Sequence, residues 1–369
     1  MRSTRVAAVG VLAVVASLFG GSAALAGSDP VPVASGLHNP RQLAFSPDGT
    51  LYVAEAGLGD PSFPNGEHCQ TSGEFGTVCL GHTGSVAKVA LNGDVDRVVT
   101  GLPSAGNTQD IIGPSDLTFT GNHQFGLAIG LGGNPDYRAG YGPGGALLGS
   151  VVTGDLRKPN GGVTKAFDVA ANELKNNPDG TDIDSNAVGL ARWGNQWVVA
   201  DAGGNAVVSS RQGGSTVAVL PPVPTTQAVP AFGLPAGFPA DAVPTDVVRG
   251  PDGAWYVSQL VGFPFEKGSS TIYRVVPGSA PQPYAWGLTN VTSLAFASDG
   301  TLYAVEMASN GLLAGPVGGL MRIHPGSATH DVVAGGLFAP YGVAIRGHSA
   351  YVTTCSVCGP GGGVVKIGL

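Results

Sequence analysis

Charge is scarce in this sequence: Asp, Glu, Lys and Arg make up 12% of its 369 residues, and the 18 basic groups are outnumbered by 25 acidic ones. A chain so poor in Lys and Arg offers no electrostatic footprint for nucleic acid or for an anionic membrane surface. Apolar runs long enough to span a bilayer are missing beyond the N-terminal segment. Helical periodicity is nearly missing as well, with residues 164–175 the one modest candidate. No Gly-X-Ser-X-Gly elbow, no His-Glu-X-X-His pair and no phosphate-cradling loop before a helix occurs. The seven His residues are scattered, and only His38 falls near the region singled out below, where it reads as solvent-exposed.

Cysteine is limited to four residues. Cys69 and Cys79 flank one Gly-rich stretch, and Cys355 and Cys358 lie together near the end. The pairing Cys69–Cys79 with Cys355–Cys358 closes two local loops and fits an oxidising compartment. A redox-active Cys-X-X-Cys normally opens a helix, whereas Gly359-Pro360-Gly361 follows here, so these cysteines read as structural. Residues 1–26 carry Arg2 and Arg5, an apolar stretch and Ala24-Leu25-Ala26, the pattern of a cleaved export signal. Its removal leaves 16 basic against 25 acidic residues, a net charge of −9. Residues 27–369 then form one exported domain, expected to act as a monomer with neither nucleic-acid nor membrane partners.

What the chain has in abundance is glycine, 60 residues, and proline, 28, distributed as punctuation. Residues 36–57 contain an alternating apolar strand, the turn Pro47-Asp48-Gly49 and a second strand, a hairpin in which glycine supplies the positive φ. The unit recurs with strand-one positions Gln42, Asp116, Gly189, Asp246, Ser293 and Gly342, spaced by 74, 73, 57, 47 and 49 residues. Strand-rich, Gly-punctuated repeats of this length predict propeller blades. The fold class is therefore all-β, a six-bladed β-propeller. Residues 31–35 have no partner in their own blade, while the last blade stops one strand short. The N-terminal strand is expected to complete it.

In four-stranded antiparallel blades, the loops after strand two and the connections between blades share one rim. Nearly all the long insertions fall there, at 56–83, 130–161, 260–270, 307–318 and 354–363, which points to a binding face. Strand-one starts and strand-two ends place Gln42, Glu55, Asp116, Asp201, Asp246, Gln259 and Glu306 around that mouth. Such oxygen donors suit a cation, Ca²⁺ above all, or a polyhydroxylated small ligand. Each carboxylate could equally cap backbone N–H groups of its neighbouring loop. Asp179, Asp182, Asp184 and Asn186 loosely follow a Ca²⁺-loop spacing, but the central glycine is absent and Trp193 stands where a bidentate Glu belongs, so this stretch reads as a loop entering blade three.

The runs Thr83-Gly84-Ser85, Val98-Val99-Thr100-Gly101-Leu102, Leu102-Pro103-Ser104, Asp184-Ser185-Asn186, Ala200-Asp201-Ala202-Gly203-Gly204-Asn205, Val243-Pro244-Thr245-Asp246, Gly250-Pro251-Asp252-Gly253 and Gly262-Phe263-Pro264-Phe265 resemble the ScyD/ScyE family of secreted bacterial proteins, in order and over essentially the whole mature chain. The resemblance implies a six-bladed propeller of the NHL and gluconolactonase-like type. It leaves the chemistry to the residues. Gluconolactonase-like hydrolases carry a Pro-Asn-Gly-Leu pattern at a strand-one start. Here Asn39-Pro40-Arg41-Gln42 has another order, and Asn186-Ala187-Val188-Gly189-Leu190 matches in part. Quinoprotein sugar dehydrogenases place a His base at such a start, where this chain offers Gln42, Asp116 or Asp246. The expected role is binding of a small polar ligand, a cation or a protein partner. A lactonase-like hydrolase or a quinone-dependent sugar dehydrogenase is the competing reading.

Overall fold

The computed structural model describes residues 29–72, 76–108 and 110–369; the expected export signal at 1–26 lies outside them. Strand β1 (Val31–Leu37) precedes β2 (Pro40–Phe45), β3 (Leu51–Glu55), β4 (Cys69–Ser72), β5 (Gly76–Val89), β6 (Val95–Gly106) and β7 (Ile111–Ile112). β2, β3, β5, β6 and β7 lie side by side in that order, with β4 paired to the start of β5. The second sheet is β8 (Pro114–Phe119), β9 (Gln124–Ile129), β10 (Ser150–Asp155) and β11 (Thr164–Asp168), and the third is β12 (Ala187–Trp193), β13 (Gln196–Asp201), β14 (Ala206–Ser209) and β15 (Ser215–Val219). A ribbon of β16 (Val223–Pro224) and β17 (Pro239–Ala240) leads to the fourth sheet: β18 (Pro244–Arg249), β19 (Trp255–Gln259), β20 (Ser270–Val275) and β21 (Gln282–Leu288). The fifth is β22 (Val291–Phe296), β23 (Leu302–Glu306), β24 (Val317–Arg322) and β25 (Asp331–Phe338). The last holds β26 (Val343–Arg346), β27 (Ser349–Thr354) and β28 (Gly362–Gly368), with β1 antiparallel to β28 at its outer edge.

Turn chemistry explains the hairpins. Asp48 Oδ1 accepts the Ser46 hydroxyl at 2.6 Å and the Thr50 N–H at 3.0 Å, and Gly49 sits at φ 87°. Asp252 and Asp299 accept the Ala254 and Thr301 N–H groups in the same way, beside Gly253 at φ 80° and Gly300 at φ 88°. A carboxylate that satisfies the turn's own backbone, followed by a residue free to adopt left-handed φ, reverses the chain within a few residues.

The apolar faces meet between sheets. Tyr52 and Val86 pack on Leu117 and Leu127; Val151 and Phe167 on Leu190 and Val208; Val198 and Val207 on Trp255 and Tyr273. Tyr256 and Ile272 pack on Leu294 and Met321, and Tyr303 and Leu320 on Val343 and Val352. A sixth cluster joins Leu37, Tyr351 and Val364 of the last sheet to Leu43 and Val53 of the first. The helix expected over 164–175 is realised only in part. Residues Thr164–Asp168 pair as β11, and α1 (Val169–Asn176) starts where the Asp168 carboxylate accepts the Ala171 N–H at 2.9 Å. The insertion expected at 130–161 also contains a strand, β10, between a 3-10 stretch and its hairpin turn. Both cysteine pairs are bonded as expected, Cys69 to Cys79 across β4 and β5, and Cys355 to Cys358.

The β1–β28 pairing and the burial of Leu37 generate a prediction. Deleting residues 29–35 exposes the edge of β28 from Gly363 to Lys366, and Leu37→Ala removes a fully buried side chain at a cost of about 2–5 kcal/mol. Thermal melting of both variants should show large losses, with a broadened transition for the deletion; a deletion variant that melts like its parent would mean that β1 is dispensable.

Candidate functional site

The first strands of the sheets face one another and meet at Gln42, Asp116, Gly189, Asp246 and Ser293, the third residues of five of them, and at Gly342 just before β26. Ser115, Thr245 and Thr292 donate their hydroxyls to the carbonyls of Val188, Val291 and Tyr341 on the next sheet, at 3.0, 2.7 and 2.7 Å. Asp116 Oδ2 accepts the Leu190 N–H at 2.6 Å, Asp246 Oδ2 accepts the Leu294 N–H at 2.8 Å, and the Ser293 hydroxyl accepts the Val343 N–H at 3.1 Å. Each of these side chains thus ties its own sheet to the next. At the two positions where the series has glycine, no side chain would fit. A Cβ on Gly189 would lie 2.6 Å from the Asp246 Cα, and one on Gly342 would lie 2.7 Å from the Gln42 Cα.

Those glycines let sheets two places apart meet. Across Gly189, the carboxylates of Asp116 and Asp246 come within electrostatic reach of each other. Across Gly342, Gln42 donates through Nε2 to the Thr292 carbonyl at 3.0 Å and accepts the Ser293 hydroxyl at 2.7 Å, while Ser293 Oγ lies 3.3 Å from Asp246 Oδ2. Gln42, Asp116 and Asp246 line a cavity of about 210 Å³ whose apolar walls are Leu43, Leu117, Leu190, Leu294 and Val343. Its wall continues to Thr118, Val248 and Ala295, partly exposed residues on the hairpin-turn side of the three polar ones. Burial pushes both carboxyls well above the ordinary carboxylate range, and the charge of Asp246 raises Asp116 further. Among the described residues no Lys or Arg side chain pairs with either one.

The strand-two ends behave differently. Glu55 accepts the His38 N–H at 2.7 Å and the Ser85 hydroxyl, and holds Arg97 with both oxygens at 2.8 Å. Asp201 accepts the Asn186 N–H at 2.6 Å and the Ser185 hydroxyl at 2.9 Å, and Glu306 accepts the Thr289 N–H at 2.8 Å. Gln259 accepts the Thr271 N–H at 3.0 Å. These four cap the loops of their own sheets and do not line the cavity. Of the seven residues singled out in the sequence, the structure brings together Gln42, Asp116 and Asp246. His38, expected in solvent, is half-buried, and its pKa is lowered by burial and then by Arg97. No three His, Cys, Asp or Glu side chains form a metal-holding group among the described residues.

No protein-family model matches the chain, and no curated protein matches it in sequence. Among solved structures it is similar to a candidate oxidoreductase (glucose dehydrogenase) from Thermus thermophilus, with a TM-score of 0.50 at 16% identity over 92% of this chain and 100% of that one. A candidate gluconolactonase gives 0.49 at 10% identity over 93% of both chains. A catalytically inactive virginiamycin B lyase from Staphylococcus aureus, with quinupristin, gives 0.45 at 10% identity over 92% of this chain and 98% of that one. At such identities likeness speaks for the fold alone, and the fold is a β-propeller.

A further acid was invisible in the sequence pattern. Glu173 on α1 is fully buried, and neither carboxyl oxygen has a well-formed hydrogen bond; a Cβ on Gly204 would lie 2.6 Å from its Oε2. Burial, with Asp201, Asp179 and Asp184 around it, pushes its pKa from 4.5 up to about 8, so it is a neutral acid at pH 7. The folded state then keeps a proton that the unfolded chain releases above its ordinary pKa. The contribution of Glu173 to stability falls as pH rises from about 4.5 to 8. Glu173→Gln, which is neutral throughout, should flatten that decline and gain on the order of 2–3 kcal/mol above pH 8. Urea unfolding at about pH 5 and pH 8.5, on either side of that window, tests this; equal pH dependence in both proteins would show that Glu173 ionises freely in the fold.

Proposed function

We propose that this chain is an exported, monomeric, six-bladed β-propeller of the ScyD/ScyE type, with residues 27–369 as its domain, and that it binds a small polar ligand at the axis. The six inter-sheet clusters and the β1–β28 pairing support six blades closed by the first strand. The two disulfides are compatible with export, as is the lack, among the described residues, of a helix long and apolar enough to cross a membrane.

One observation carries the ligand assignment: Asp116 and Asp246, from sheets two apart, meet with the Gln42 amide in one cavity without a cationic partner among the described residues. A buried acid pair of this kind is relieved either by sharing protons or by a guest that brings positive charge or hydroxyl donors. The donor set is entirely oxygen, which suits Ca²⁺, and two carboxylates with an amide suit a polyhydroxylated molecule. The apolar walls confine the guest to a small one. A second reading shares the same residues: two carboxyls with raised pKa values, facing each other, are equipped to move a proton, as a lactonase-like hydrolase or a sugar dehydrogenase requires.

The test is thermal shift with Ca²⁺, EDTA and a panel of monosaccharides and polyols, on the wild type and on the Asp116→Asn/Asp246→Asn double variant. At least one guest should raise the wild-type Tm, and the double variant should lose that response while folding at least as stably. Lactone hydrolysis and quinone-dependent sugar oxidation, measured on the same pair of proteins, identify the second reading. A wild-type Tm indifferent to every guest, or a double variant that responds equally, would end the axial assignment.

A further inference from the structure

A second cavity, of about 150 Å³, lies where the loop after β3, the segment between β6 and β7 and the turn after β27 come together. Its polar wall includes Arg41, Thr108 and Ser356, and its apolar wall Leu58, Ile111 and Val357. None of these was singled out by the repeat pattern, and none lines the axial cavity.

Arg41 is the charged residue of this wall. Its guanidinium lies 4.9 Å from the centre of the Tyr341 ring, its Nη2 donates to the Ile111 carbonyl at 2.7 Å, and its side chain is 11% exposed. Asp110 Oδ1 stands 3.6 Å from Nη2, beyond hydrogen-bond range, on a side chain 46% exposed. A carboxylate therefore already hovers at Arg41 without docking on it. Ser356 is fully buried, and its hydroxyl has no hydrogen-bond partner although it lines the cavity. A buried hydroxyl without a partner forfeits the bonds it makes in water, so native structures rarely leave one without reason. Its position is well determined: the Ser356 N–H donates to the Ala339 carbonyl at 3.1 Å, and the Cys355–Cys358 disulfide closes the turn around it. Asn39 ties the walls together, donating to the Gly57 carbonyl at 2.8 Å and accepting the Gly359 N–H at 2.7 Å.

We propose that this cavity binds a small carboxylate-bearing molecule, its carboxylate on the Arg41 guanidinium and the Ser356 hydroxyl and its apolar body against Leu58, Ile111 and Val357. The planar guanidinium fork matches a carboxylate, and a low-polarity surround strengthens the charge-assisted bonds. A dianion such as phosphate is disfavoured, because a single Arg faces it, Asp110 stands beside that Arg, and the chain carries a net charge of −7. The site is independent of the axial acid pair and stands or falls without it.

Titration of the full chain with hexanoate, followed by amide NMR shifts, tests the proposal, with hexanamide and inorganic phosphate as controls. Hexanoate should give saturable shifts at Thr108, Ser356 and Val357, and the two controls should not. Asp110→Asn should tighten hexanoate binding, and Arg41→Gln should abolish it. Arg41 also anchors Ile111, so Ser356→Ala is the decisive variant: it breaks no side-chain hydrogen bond, should leave the Tm unchanged or raised, and should weaken hexanoate about fivefold, the equivalent of one hydrogen bond. No saturable shift, equal shifts with hexanamide, or unchanged affinity in Ser356→Ala would each overturn it.

Discussion

Room at the axis is the constraint on which the rest of this structure depends. First strands of successive sheets approach one another so closely that the residue at each meeting point must either bond to the neighbouring backbone or have no side chain at all. Asp116, Asp246 and Ser293 take the first course by accepting an N–H from the next sheet. Gly189 and Gly342 take the second, because a Cβ at either would collide with the Cα of a neighbouring first strand. Hydroxyls one residue earlier, on Ser115, Thr245 and Thr292, repeat the tie to the neighbour's carbonyl. The backbone groups that would otherwise be orphaned where two sheets abut are thereby satisfied by side chains.

The same constraint sorts the acidic residues. Carboxylates at strand-two ends sit beside loops rich in free N–H groups, and Glu55 also has Arg97. Glu55, Asp201 and Glu306 are absorbed by local backbone. Carboxylates at strand-one positions have one N–H each from the next sheet and, beyond the N–H of the residue that follows them and the Ser293 hydroxyl near Asp246, face other acids or apolar walls. Position along the hairpin, more than residue type, decides whether an Asp or Glu is structural mortar or a group with unspent bonding capacity. The glycines amplify the difference, since it is across Gly189 that Asp246 comes close enough to raise Asp116.

Legibility in the sequence follows the range of the interaction. The hairpins could be read because Asp48, Asp252 and Asp299 bond to backbone two residues away, and a glycine next to each takes the positive φ. The cysteine pairs could be read because each closes a short loop. The partner of β1 was legible only by counting strands, and the counting worked because the repeat leaves one edge vacant. Strand β10 was not legible, for it lies inside a Gly-rich insertion whose turn residues Pro159-Asn160-Gly161 read as the end of a loop rather than as the turn of a hairpin. The periodicity of 164–175 carried no sign that Glu173 is buried; Gly204, between β13 and β14, leaves room for its carboxyl where a Cβ would collide with it. Ser356 and Arg41 acquire meaning only from segments far away in the chain, at Ala339, Ile111 and Tyr341.

Successive stretches of β2 serve the two cavities, Arg41 on one and Gln42 with Leu43 on the other. Tyr341 is linked to residues of both: its ring carries the Arg41 guanidinium, and its hydroxyl, pushed up chiefly by burial, is lowered by Arg41 and raised by Asp116 and Asp246. The face of the Tyr341 ring gives the Arg41 cation a partner other than the acids. Separation of opposite charges by a packed ring costs little when the ring face itself attracts the cation, by about 0.5–2 kcal/mol. Arg41 and Gln42, neighbours on β2, thus line different cavities, one walled by a cation and the other by a pair of acids.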